Sequence, residues 1–126
     1  CFTDLVKKVQ EWAEEKDLLH VENADKQFLK FIEEVFEFKT ELDAYIYIKN
    51  DLDAEHDVMG EIFSDKHFYT TFDNLKLEMG DIFVTLIILC KQLDIDPVEC
   101  LEMAYNKISK RKGKTVEGIF IKEEDL

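Results

Sequence analysis

With 126 residues, 46% of them hydrophobic, the chain has enough apolar material for one domain around one core, and residues 1–126 are read as a single domain. Four Gly and one Pro against 36% charged residues exclude a strand-rich chain, which needs more turn residues, and predict an all-α fold. A net charge of −13 excludes a general nucleic-acid binder and disfavours an anionic membrane surface, because both demand a basic face.

Residues 2–16 form the first predicted helix. Phe2, Leu5, Val6, Val9, Trp12 and Ala13 recur at helical spacing, with Lys and Glu between them. Residues 18–22 are a connection. Asn23 is a good N-cap for a second helix running to about Leu42 or beyond, with an apolar face of Phe28, Phe31, Ile32, Val35, Phe36 and Phe38. Residues 43–73 read as an insert of mixed helix and loop. In it, Tyr45-Ile46-Tyr47-Ile48 extends the helix or forms a short irregular segment, 53–63 is a short helix ending near Ser64-Asp65, and Phe68, Tyr69 and Phe72 make an aromatic knot.

Residues 75–93 form the strongest predicted helix. Its part from Ile82 to Cys90 is apolar nearly all round and is expected to be buried on every side, in a bundle core or against a second subunit. Gly80 weakens this helix by about 1 kcal/mol relative to Ala, which close backbone approach beside its acidic neighbours would explain. A last helix starts at Asp96-Pro97-Val98-Glu99, with Asp96 capping, Pro97 at the first helical position and Glu99 reaching back to the cap. It is expected to run to about Lys112 and end at Gly113, leaving 115–126 as a tail in which Ile119-Phe120-Ile121 docks on the body. The total is four to five helices. Three cysteines, Cys1, Cys90 and Cys100, have no metal-ligand spacing and cannot all pair internally, which fits a reducing, cytoplasmic setting. No segment reads as a signal peptide, and residues 82–90 are too few to span a bilayer.

The chemistry is concentrated in the second helix. Glu33, Glu34 and Glu37 fall within an arc of about 100°, with Lys30 one turn earlier on the same stripe. Like charges so placed repel by a few tenths of a kcal/mol per pair, so a chain that keeps them together usually has a cation to hold. One such motif alone is more often a solvated helix face, since Glu is a common helix former. A second pair, Glu78 and Asp81, shifts the balance: it has the same i, i+3 spacing and directly precedes the most apolar segment, where solvated charges are least expected. Glu34, Glu37, Glu78 and Asp81 from two helices make a set of oxygen ligands suited to a hard divalent ion, Mg²⁺ with Mn²⁺ as a substitute.

Lys107, Lys110, Arg111, Lys112 and Lys114 reverse the local charge at the far end of the chain. They read equally well as a phosphate clamp and as cations complementing a helix C-terminus. Other signals are weaker. Asp51-x-Asp53-x-Glu55 has His56 where a calcium loop needs Gly and Ile62 where it needs Glu. No Glu-x-x-His pair supports a di-iron bundle, and His20, His56 and His67 have no evident partner. Trp12 is read as a core residue rather than a base-stacking one. The aromatic residues of the insert are likewise read as packing, with a base pocket as the alternative.

Glu33-Glu34-x-x-Glu37 followed by Glu78-x-x-Asp81 resembles the all-α nucleoside triphosphate pyrophosphohydrolases, the MazG-like family. Lys30, the apolar run after Asp81, and the closing Asn106-Lys107, Arg111 to Lys114 and Gly118-Ile119-Phe120 stretches extend the resemblance. It covers roughly 24–42 and 74–121, and the forty residues between Glu37 and Glu78 exceed the family's usual gap. The resemblance implies an antiparallel helical bundle, assembled as a homodimer or homotetramer. It implies Mg²⁺-dependent hydrolysis of an NTP or dNTP to the monophosphate and pyrophosphate, in nucleotide-pool house-cleaning. It implies Glu34, Glu37, Glu78 and Asp81 as metal ligands, and Glu33 and Glu37 as the carboxylates that act on water. Lys30, Asn106, Lys107, Lys110 and Arg111 would contact phosphates. A related phosphoribosyl-ATP pyrophosphohydrolase keeps the chemistry and changes the substrate. A non-catalytic acidic helical module that binds a protein partner would leave the carboxylates scattered on the outer surface.

Overall fold

A computed structural model describes residues 1–54 and 58–126, with side chains at all of these positions outside 51–68. The chain divides into two compact units, Cys1–Asp94 and Ile95–Leu126.

The first unit holds three helices, α1 (Phe2–Glu15), α2 (Ala24–Ala54) and α3 (Val58–Gln92). Helix α3 is the one against which the other two pack. Helices α2 and α3 run antiparallel: Gln27 meets Thr85 near one end and Tyr45 meets Phe72, rings 5.9 Å apart, towards the other. Helix α1 runs parallel to α3, with Phe2 edge-on to Phe83 at 6.4 Å and the Leu18 carbonyl accepting from Gln92 Nε2 at 2.7 Å. Val6 and Ala13 of α1 and Ile87 and Ile88 of α3 are the buried apolar residues of this packing. Helices α1 and α3 both stop without glycine. Asp17 and Asp94 take left-handed backbone angles just past their ends (φ 58° and 56°), a conformation that a short polar side chain tolerates.

The expected first helix is present. Among the described residues the insert at 43–73 is helical: α2 continues to Ala54 and α3 already begins at Val58, so Ser64-Asp65 ends nothing. Residues 55–57 lie outside the described residues. Local stop signals lose here to tertiary packing, because the added turns prolong the α2–α3 contact. Ile48 and Thr71 are buried in it, Tyr45 packs on Phe72, and Lys39 and Asp43 pair at 2.6 Å along α2. Within the chain, the 82–90 segment is not buried on every side; Ile87 and Ile88 are, but Phe83 and Leu86 are exposed. Among the described residues no backbone of another element approaches Gly80 closely either, since a Cβ there would meet no such atom within 4 Å.

The described chain is mostly helical, as expected, and the second unit adds a small two-stranded sheet. Helix α4 (Pro97–Ile108) starts as anticipated, Asp96 Oδ1 accepting from the Val98 amide at 3.0 Å; among the described residues, Glu99 makes no return bond. It stops at Ile108 rather than Lys112, and the supposed tail is an antiparallel hairpin of β1 (Gly113–Val116) and β2 (Ile119–Lys122). The two-residue turn has Glu117 at φ 51° and Gly118 at φ 79°, the positive angles of the hairpin turn that matches strand twist. Gly113 is a ladder residue, not a helix stop. A Cβ there would collide with the Ile121 carbonyl, so only Gly fits opposite Lys122.

Candidate metal centre

The antiparallel register of α2 and α3 sets Glu34 against Glu78 and Asp81. One carboxylate oxygen from each of these three lies within 4.8 Å of the other two. Three oxygens around one Mg²⁺ are about 3 Å apart when adjacent and about 4.2 Å when opposite, so small side-chain movements within this limit would close the group on an ion. Glu34 is nine-tenths buried, at 7% exposure; among the described residues its Oε2 has no hydrogen-bond partner, and neither has the buried Oε2 of Glu78. Leaving a buried carboxylate oxygen unsatisfied costs about 1–3 kcal/mol, more when it is ionised. A divalent ion would satisfy both orphaned oxygens, and an all-oxygen donor set suits Mg²⁺ or Mn²⁺. The residues present therefore fit the ion.

Glu37 stands outside that trio. It is exposed, and its carboxyl is held above the usual carboxylate range, first by the hydrogen bond it makes to Glu34 when protonated, then by the Glu34 charge. Two ionised carboxylates cannot donate to each other, so this bond exists only while the pair shares a proton. Glu78 is also held high, by burial first and then by the charges of Asp81, Glu34 and Glu41, against a lowering contact from Glu37. Glu33 is exposed on the flank of α2, 3.5 Å from Lys30 Nζ. Lys30 Nζ also pairs with Glu34 Oε1 at 3.1 Å, and this bond is the main reason its ammonium is held above its ordinary pKa.

A cavity of about 390 Å³ opens beside the trio, within the first unit. Glu34, Asp81 and Lys30 line it together with Trp12, Leu18 and Gln27. Trp12 is 47% exposed and lines this cavity instead of filling the core. Gln27 donates from Nε2 to the Thr85 carbonyl at 3.2 Å. It was legible in principle: positions 27, 30 and 34 fall one to two turns apart, so a polar residue there continues the Lys30–Glu34 stripe. His20 also has a partner after all, Asp17 Oδ1 at 2.6 Å, whose hydrogen bond and charge raise the imidazole pKa.

The expected phosphate contacts Asn106, Lys107, Lys110 and Arg111 belong to the second unit, where all four are exposed. Lys107 is in the last turn of α4, and Lys110 and Arg111 follow in the turn before β1. No ion pair involves Lys107, Lys110 or Arg111 among the described residues. No helix among the described residues is long and apolar enough to cross a membrane. Compared with protein-family models, curated proteins and solved structures, the chain matches none of them.

Proposed function

We propose that the protein is a Mg²⁺-dependent nucleoside triphosphate pyrophosphohydrolase, cleaving an NTP or dNTP with one water to the monophosphate and pyrophosphate. The observation that carries the reading is the meeting of Glu34, Glu78 and Asp81 across two helices, with two of their oxygens buried and unpartnered. When bound, a divalent ion neutralises charge on the polyphosphate. The chain's own groups do the rest. Glu34, Glu78 and Asp81 hold the ion. Lys30 reaches the phosphates from the cavity wall, and the exposed indole face of Trp12 offers a surface on which a base stacks. Glu37, exposed to solvent and with its proton affinity raised, is the better placed of the two candidate bases to take a proton from the attacking water. Glu33, paired with Lys30, orients that lysine.

Exposed Phe83 and Leu86 on the most apolar helix support assembly as a homodimer or homotetramer. The same exposed apolar surface favours a second reading, an acidic module that binds a protein partner and has no activity. A panel of NTPs and dNTPs incubated with the protein and Mg²⁺, with pyrophosphate measured, separates the two. Release from at least one nucleotide, abolished by EDTA, is the expected result; no release from any nucleotide contradicts the enzymatic reading.

A further inference from the structure

Lys30 is more than a side chain waiting for phosphate. Its ammonium already sits on Glu34 Oε1 at 3.1 Å, while the other oxygen of that nine-tenths-buried carboxylate has no hydrogen-bond partner among the described residues, and the carboxylate forms the trio with Glu78 and Asp81. Lys30 itself is half exposed, with 50% of its side chain open to solvent, and lines the cavity beside the trio. It therefore has a four-carbon stem free to swing and two alternative anions within reach: the carboxylate it now holds, and any polyphosphate that enters the cavity.

We infer that Lys30 is a built-in counter-ion that competes with the divalent ion for Glu34 and is drawn off by the polyphosphate, so that metal and polyphosphate bind cooperatively. This rests on the metal reading above and adds to it an order of preference. With the cavity empty, the ammonium offsets part of the trio's negative charge and opposes the approach of a dication. With a triphosphate present, the ammonium gains a more highly charged acceptor, Glu34 is released to the ion, and each ligand raises the affinity for the other by the same factor. The residue acts on the metal through Glu34 and on the substrate directly. Removal of its charge must therefore move the two affinities in opposite directions, which a lysine of purely structural value cannot do.

Calorimetric titration of the full chain tests this with two probes, Mn²⁺ alone and preformed Mg²⁺–tripolyphosphate, on the wild type, Lys30→Met and Lys30→Arg. Lys30→Met is expected to bind Mn²⁺ alone roughly three- to tenfold more tightly, and Mg²⁺–tripolyphosphate more weakly by a similar factor, with Lys30→Arg close to wild type in both. Loss of both affinities in Lys30→Met, or equal Mn²⁺ affinity in the wild type and Lys30→Met, overturns the competition while leaving the metal site standing. Absence of Mn²⁺ binding in all three proteins removes the metal site and the inference together. Circular dichroism confirms that each variant folds, as expected for substitution at a half-exposed helix position.

Discussion

The two units of this chain treat charge in opposite ways. In the first, three acids from two helices are forced together, one of them at 7% exposure, and two of their oxygens find no partner. In the second, five cations from Lys107 to Lys114 stand in the open, within a run from 98 to 120 in which every residue is exposed. Solvated cations at a helix end cost nothing and explain themselves. A knot of carboxylates with one member buried costs stability and persists only if something offsets it, which points to chemistry in the first unit.

That contrast is open to attack by substitution. The largest effect expected is Asp81→Asn, which lowers pyrophosphate release by about 10²-fold or more by removing a ligand, whereas Arg111→Ala, in the exposed cation run, has a far smaller effect. Steady-state kinetics of the two variants measure this; equal losses would mean that the two charge clusters are equivalent. Next in size is Gly118→Val in the hairpin turn. A β-branched residue at φ 79° costs about 1–2 kcal/mol locally, so cross-strand NMR contacts between Thr115 and Phe120 weaken, while Mg²⁺ binding by the first unit stays as it was.

A smaller effect has an unusual sign. Burial and neighbouring negative charge hold the Glu78 carboxyl high, so the folded protein binds that proton more tightly than the unfolded chain does. Metal-free stability therefore falls as pH rises through the window above about 4.5, and Glu78→Gln removes that penalty. At pH 7 in EDTA the variant is expected to melt roughly 2 °C above wild type, from relief of like-charge repulsion, yet to gain nothing from Mg²⁺. Thermal melts with and without metal check both halves. The smallest effect is at His20. Its folded pKa lies above 6.5 because Asp17 binds the imidazolium, so the pair's contribution is present in full below 6.5 and is lost as pH rises through the folded value. An NMR titration of His20 shows the raised midpoint, and Asp17→Asn returns it towards 6.5.

How far the sequence could be read follows the same division. The α1 and α3 patterns, the Asp96 cap and the paired acidic spacing are local signals, and each reappears in the structure because helical periodicity maps directly onto a face. The long α2–α3 arm was misread because Ile48, Thr71 and the Tyr45–Phe72 contact reveal themselves only when two helices lie side by side. The hairpin carried a signal that the helical composition masked. Thr115-Val116 and Ile119-Phe120-Ile121 flank a Glu-Gly pair, which is the two-residue turn pattern with Glu in place of the commoner Asn or Asp. Glu37 is spaced to join the trio but does not, since an arc of 100° is wide enough to put Glu34 inside the interface and leave Glu37 at its exposed edge. Gln27 continues the Lys30–Glu34 stripe and was legible in principle, whereas Trp12 became visible as a cavity residue only once α1 was set against α3.

The most direct trial of the central idea is to count bound Mn²⁺ by electron paramagnetic resonance, through loss of the free-ion signal, in the wild type, Glu34→Gln and Asp81→Asn. Saturable binding in the wild type that is lost or strongly weakened in both variants is the expected outcome. Unchanged binding in the variants, or none in the wild type, would mean that Glu34, Glu78 and Asp81 meet for some reason other than a cation.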